Sequence, residues 1–253
     1  MRRIKIKLAY DGTDYHGWQV QPGVPTIQGT LEAVVAEIEG SRVHVAGSGR
    51  TDAGVHALEQ VAAFSIHNPI PLPNLRRAMN RLLPPSIRVL STEEAAPEFH
   101  PRYDALAKTY EYRIFRGEVC PPLEWRYVHH HPYPLDMERM IRLAPSFEGE
   151  HDFSAFAAAD ERDREGLSKI RTIFASRVEL DGQHLYYRVR GSGFLKHMVR
   201  NLVGALLETG KGNLDRQGIE KLLSSRAPRA GPTAPAKGLF LVGVEYPEQD
   251  PRP

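Results

Sequence analysis

The sequence is almost without cysteine. Cys120 stands alone among 253 residues, so no internal disulfide can form, and a reducing compartment suits the chain. Pro121 and Pro122 follow it, which reads as a loop. Net charge is also nearly absent: 33 Lys+Arg against 31 Asp+Glu leave +2. Overall charge therefore makes no case for a nucleic-acid partner, and any such case must come from where the charges sit. No stretch approaches the roughly 18 uncharged apolar residues of a membrane span. The N-terminus, Arg2 to Lys7, alternates apolar with basic residues, whereas a secretory signal needs an unbroken apolar run. A cytoplasmic protein is the expectation. Neither a phosphate-binding P-loop nor a dinucleotide-binding glycine pattern is present, so nothing points to nucleotide cofactors. His129-His130-His131 is the one histidine run. On a strand its side chains alternate between faces, and Cys120 is not at zinc-ligand spacing from them. No metal site is expected.

What is present suits a folded α+β chain. Hydrophobic residues make up 41% and charged residues 25%, enough apolar surface for a sizeable core. Ile4, Ile6 and Leu8 alternate with lysines as a half-buried strand would. Thr26 reads as an N-cap, Leu31, Val34, Val35 and Ile38 recur at helical spacing, and Gly40 closes the helix. A strand over Val43 and Val45, one over Gln60–Ile66, a helix over Pro71–Leu83 with Leu75, Met79 and Leu82 inward, and a strand over Ile87–Leu90 complete a β-α-β-β-α-β order.

The second half repeats that order loosely. Strands are expected over Lys108–Phe115, Ile173–Leu180, Leu185–Arg190 and Leu239–Val244, with Asp181-Gly182 as a hairpin turn. Helices are expected over Leu135–Phe147, Phe194–Leu207 and Asp215–Leu223. Two such units predict two ferredoxin-like halves, residues 1–103 and 104–246, with abutting antiparallel or mixed sheets and a cleft between them. Residues 157–168 and 224–238 read as polar or Pro/Gly-rich connections, and 247–253 as a frayed tail.

Gly47-Ser48-Gly49-Arg50-Thr51-Asp52-Ala53-Gly54-Val55-His56 is the most informative stretch. It lies between two predicted strands, and its glycines let the backbone turn sharply. It sets a carboxylate two residues from a guanidinium, which suits a general acid/base or nucleophile beside an anion binder. An Asx-type turn with a surface arginine reads equally well from chemistry alone. Arg200 falls on the flank of an apolar helical stripe, on the same edge as Lys196 one turn earlier. It suits an anion contact, or a boundary arginine laying its stem on the core. Tyr110 shares a strand face with Tyr112 and Ile114, as a core aromatic would. Basic residues cluster as Arg76, Arg77 and Arg81, as Arg102, Lys108, Arg113 and Arg116, and as Arg188, Arg190, Lys196 and Arg200. Tyr103, Tyr110, Tyr112, Tyr186, Tyr187 and Phe194 interleave with the later groups, the composition of a groove that tracks phosphates and stacks bases.

Five separated motifs carry a family resemblance. Gly49-Arg50-Thr51-Asp52-Ala53-Gly54-Val55-His56 resembles the signature loop of bacterial tRNA pseudouridine synthase A. Tyr10-Asp11-Gly12 with Gly17-Trp18-Gln19 resembles the family's N-terminal pattern. Phe99-His100-Pro101-Arg102 and Lys108-Thr109-Tyr110-Glu111-Tyr112-Arg113 resemble its central strand. Gly193 to Asn201 resembles its C-terminal helix motif, with Lys196 where relatives often have an aromatic residue or histidine. Thr233 to Leu239 with Tyr246 resembles its closing segment.

The resemblance implies the pseudouridine synthase fold and conversion of uridine to pseudouridine at positions 38, 39 and 40 of the tRNA anticodon stem-loop. It implies a homodimer with neither cofactor nor metal. It puts Asp52 on the catalytic aspartate, Arg200 on the basic residue that pairs with it, Tyr110 on the tyrosine that stacks on the target base, and Arg50 on the arginine that holds the flipped nucleotide out. A non-catalytic RNA-binding protein of the same fold and a pseudouridine synthase for another RNA are the rival readings.

Overall fold

Alternation and capping build the first elements as local chemistry dictates. A computed structural model describes residues 1–159, 168–224 and 230–247. The chain divides into two compact units, Met1–Leu106 with Phe240 onward, and Ala107–Leu239. The first unit opens with β1 (Arg2–Tyr10), α1 (Ile27–Glu39), β2 (Ala46–Gly47), β3 (His56–Ile66), α2 (Leu72–Leu82) and β4 (Ile87–Ala95). Ile4, Ile6 and Leu8 of β1 are fully buried. The Thr26 side chain accepts from the Gly29 N–H, capping α1. Gly40 ends that helix at φ 79°, donating its N–H to the Ala36 carbonyl, a left-handed geometry that suits glycine.

β1 pairs antiparallel with both β3 and β4, and β2 pairs antiparallel with β3, giving the order β4-β1-β3-β2. Leu31, Val34 and Val35 of α1 and Leu75 and Met79 of α2 are buried. The strand expected over Val43 and Val45 is only Ala46–Gly47. Leu82, expected inward, is 39% exposed, and Leu83 takes the buried place. Pro84 disfavours helical backbone at the residue before it. Leu83 is accordingly extended (ψ 143°) and turns inward beyond the end of α2.

The second unit contains β5 (Ala107–Phe115), β6 (His129–His130), α3 (Met137–Leu143), β7 (Gly149–Asp152), β8 (Ile170–Asp181), β9 (His184–Gly191), α4 (Met198–Gly210) and α5 (Arg216–Ser224). β6 runs parallel to β5, while β5–β9, β9–β8 and β8–β7 are antiparallel. The short strands β6 and β7 were not expected from periodicity. The helix expected over Leu135–Phe147 is α3 followed by a 3-10 turn, Ala144–Phe147, which contains Pro145. Proline removes an N–H and clashes with the preceding turn, which ends regular helix there. In the hairpin, Asp181 pairs with His184, so the turn is Gly182-Gln183. Gly182 takes the positive φ, 56°.

The helix expected from Phe194 starts only at Met198, behind His197 at φ 61°. Lys196 therefore precedes the helix and does not share a helix edge with Arg200 as expected. The helix interior is as apolar as its stripe predicts: Leu202, Val203 and Leu206 are buried.

The last strand, β10 (Leu239–Glu245), pairs in parallel with β3 through Phe240–His56 and Leu241–Ala57. From Phe240 onward the chain groups with the first compact unit. The expected connections at 157–168 and 224–238 lie partly, and the tail 247–253 almost wholly, outside the described residues. Among the described residues no helix is long and apolar enough to cross a membrane.

Candidate active site

Residues 48–55 of the first unit hold Arg50 and Asp52, and buried neighbours fix their backbone. Arg50 is exposed, Thr51 buried and Asp52 half-buried. The Thr51 carbonyl accepts from the Trp18 N–H at 3.0 Å, and the Gly54 N–H donates to the Tyr15 carbonyl at 3.3 Å. Gly17 is at φ 87°, and a Cβ there would stand 2.6 Å from the Thr51 carbonyl oxygen. A Cβ at Gly47 would strike the Trp18 ring. The N-terminal motif, Tyr10 to Gln19, is thus the support on which the Asp52 loop rests.

Further along, the Gly12 N–H donates to His56 Nδ1 at 3.1 Å, and Asp11 Oδ1 lies 3.2 Å from the same nitrogen. The His56 ring stacks on Phe240 with centroids 4.7 Å apart, which ties β10 to the end of the loop. Side-chain hydroxyls complete the support: Tyr10 and Thr51 are hydrogen-bonded at 2.8 Å. Burial pushes the Tyr10 hydroxyl up to about 12, against its hydrogen bonds to Thr51 and Gln60, so it keeps its proton at neutral pH.

Tyr110 and Arg200 stand in the second unit. Tyr110, on β5, is 7% exposed. Its ring meets Phe194 edge-on with centroids 5.0 Å apart, a favourable aromatic geometry. Arg200 lies in the first turn of α4 and donates through Nε to the Ala234 carbonyl at 2.7 Å. The Ala234 N–H donates back to the Arg200 carbonyl. Asn201, buried, donates to the Phe156 carbonyl at 2.6 Å and accepts from the Thr233 hydroxyl at 2.7 Å. Tyr112 donates to the Pro235 carbonyl at 2.8 Å. Burial raises the Tyr112 hydroxyl well above its usual range, with the Arg200 charge opposing. The C-terminal helix motif, the central strand and the 233–238 segment are therefore one packed assembly.

Sequence reasoning did not single out Thr51, Gln60, Asn201 or Thr233. Gln60 and Asn201 leave a trace, because each is an amide directly before an apolar run, and a buried amide must find partners. The three histidines part as strand alternation requires. His129 packs edge-on against Tyr112 and His131, whereas His130 faces Phe115 and Trp125. Among the described residues no three His, Cys, Asp or Glu side chains cluster as metal ligands would.

Comparison with known proteins agrees in one direction. The family profile described as tRNA pseudouridine synthase matches residues 7–104 and 143–247. A tRNA pseudouridine synthase A from Solibacter usitatus is 68% identical over 246 residues, covering 97% of this chain and 100% of that protein. A namesake from Myxococcus xanthus is 43% identical over 253 residues, covering 99% and 94%. A third, named tRNA pseudouridine synthase A 1, from Desulfotalea psychrophila, is 41% identical and covers 97% and 100%. With the five motifs, their packing and full-length relatives in agreement, the chain belongs to the tRNA pseudouridine synthase family.

Proposed function

We propose that this chain converts uridine to pseudouridine in tRNA, at positions 38, 39 and 40 of the anticodon stem-loop, with Asp52 as the essential carboxylate. The observation that carries the reading is full-length similarity to relatives named tRNA pseudouridine synthase A, the first at 68% identity. The chemistry required suits the residues. The N1–C1′ bond breaks, the uracil rotates while held, and C5 bonds to C1′. C5 then gives up its proton and N1 gains one, so no atom is added overall and no cosubstrate is consumed. Asp52 acts on the ribose, as nucleophile at C1′ or base at C2′. Arg200 supplies the positive charge that favours the ionised carboxylate. Tyr110 stacks on the uracil. Arg50, exposed on its loop, fills the gap left when the stacked nucleotide is flipped out.

The fold supports the same reading. The first unit's order β4-β1-β3-β2 with two helices is compatible with a ferredoxin-like half, and β5, α3, β8, β9 and α4, with the short strands β6 and β7 between them, run in a comparable sequence. The working form is a cytoplasmic homodimer whose basic residues grip tRNA phosphates.

Tritium release from tRNA labelled at uracil C5 tests the activity directly, because only C5–C1′ bond formation expels that hydrogen. Release, with the product mapped to positions 38–40, is the expected result. Binding without release would make the chain an RNA-binding relative. Release from other positions, or from another RNA alone, would reassign the substrate.

A further inference from the structure

Beneath the Arg50-Thr51-Asp52 segment lies a connected set of buried polar side chains: Tyr10, Ser48, Thr51 and Gln60. The Gln60 amide uses its full hydrogen-bonding capacity. Its Nε2 donates to the Gly49 carbonyl at 3.1 Å and to the Tyr10 hydroxyl at 3.4 Å. Its Oε1 accepts from the Ser48 hydroxyl at 2.5 Å and from the Val61 N–H at 3.2 Å. The Tyr10 hydroxyl is in turn hydrogen-bonded to Thr51 Oγ1 at 2.8 Å. The bonds therefore link amide, tyrosine and threonine in series. They hold the residue before Arg50 and the residue between Arg50 and Asp52.

We propose that Tyr10, Gln60 and Ser48, acting through Thr51 and the Gly49 carbonyl, are positioning residues that set the register of Arg50 and Asp52 for the chemical step. The inference rests on reading Asp52 as the essential carboxylate. Its physical basis is alternation along the segment: Arg50 exposed, Thr51 buried, Asp52 half-buried. Anchoring the middle residue fixes both neighbours, and releasing it lets the carboxylate wander. A buried network of this kind is satisfied only as a whole, because removing one member strands the others' polar atoms.

The test is a cycle of Tyr10→Phe, Thr51→Val and the double variant, with Thr51→Ser and Asp52→Asn alongside. Single-turnover rates at saturating tRNA are normalised to the folded fraction. Tyr10→Phe and Thr51→Val should each slow the step on the order of 10- to 100-fold, the scale of a small misplacement at a reacting centre. The Kd for tRNA should shift less than about twofold, since the loss lies in the chemical step. Thr51→Ser should recover most of the rate lost by Thr51→Val. The double variant should be no slower than the slower single, because both remove the same bond. Rates near the parent's in folded Tyr10→Phe, additive losses in the double variant, or no recovery by Thr51→Ser would each overturn the proposal. If Asp52→Asn is inactive while Tyr10→Phe is normal, the positioning role alone falls. If Asp52→Asn turns over, the carboxylate reading falls and this inference falls with it.

Discussion

Gly12 faces the backbone carbonyl of Val55 so closely that a Cβ at Gly12 would overlap the Val55 oxygen. This approach lets the turn after β1 lie against the end of the Asp52 loop. Gly12→Ala should cost about 1–3 kcal/mol, as overpacking against rigid backbone does, and should slow turnover by displacing the loop. Gly243 has nothing within 4 Å of its would-be Cβ, so Gly243→Ala should leave urea midpoint and rate near the parent's. Equal effects of the two changes would show that the contact between Gly12 and Val55 does not matter.

Asp52→Asn preserves size and loses the charge. Turnover should vanish while the thermal melt and tRNA binding stay close to the parent's. Tritium release by this variant above background, with the protein folded, would remove Asp52 from the mechanism.

Tyr110 is both packed and a candidate for stacking on uracil, so truncation cannot separate the two roles. At 7% exposure, Tyr110→Ala should lower stability by roughly 3–5 kcal/mol as well as weaken activity. Tyr110→Phe keeps the ring and its edge-on contact with Phe194, so its melt should hold. A single-turnover rate reduced in Tyr110→Phe would assign a role to the hydroxyl, and an unchanged one would confine Tyr110 to stacking.

Burial holds His129 down to about 4, with the neighbouring His131 adding to the effect. Its Nδ1 is buried without a hydrogen-bond partner, as is that of His131. The ring is therefore neutral when folded and protonates more readily when unfolded. Stability from this group is complete above the ordinary imidazole value of 6.5 and is lost as pH falls from there toward about 4. The loss should be on the order of 2 kcal/mol after allowance for partial exposure, since one pKa unit is worth ~1.4 kcal/mol. Urea unfolding at pH 7 and pH 4.5 measures it, and His129→Asn should flatten that limb.

A protein of net charge +2 that grips tRNA must do so through local basic surfaces. Arg76 and Arg77 are exposed on α2. Affinity should fall steeply with salt as each neutralised phosphate releases counterions. Arg76→Ala or Arg77→Ala should weaken binding and leave the single-turnover rate at saturation unchanged. Sedimentation should give a dimer. Salt-independent affinity, or a fully active monomer, would contradict this picture.

The sequence alone determined what depends on near neighbours along the chain. Thr26 and Gly40 bound α1 because a cap needs only its own helix end. Ile4, Ile6 and Leu8 face inward because side chains alternate on a strand. The Gly-Arg-Thr-Asp stretch reads as a constrained loop for the same local reason, and five spaced motifs sufficed to indicate the family. Tertiary structure decided what depends on partners distant in sequence. That β10 pairs in parallel with β3 is a matter of sheet register, which periodicity does not encode. The late start of α4 follows from His197 in a left-handed conformation, which the apolar stripe running through Phe194 conceals. Most of all, Tyr10, Thr51 and Gln60 are scattered along the first sixty residues and meet only in the fold. Their buried hydroxyl and amide groups must pair with one another, and no local pattern announces which partners they find.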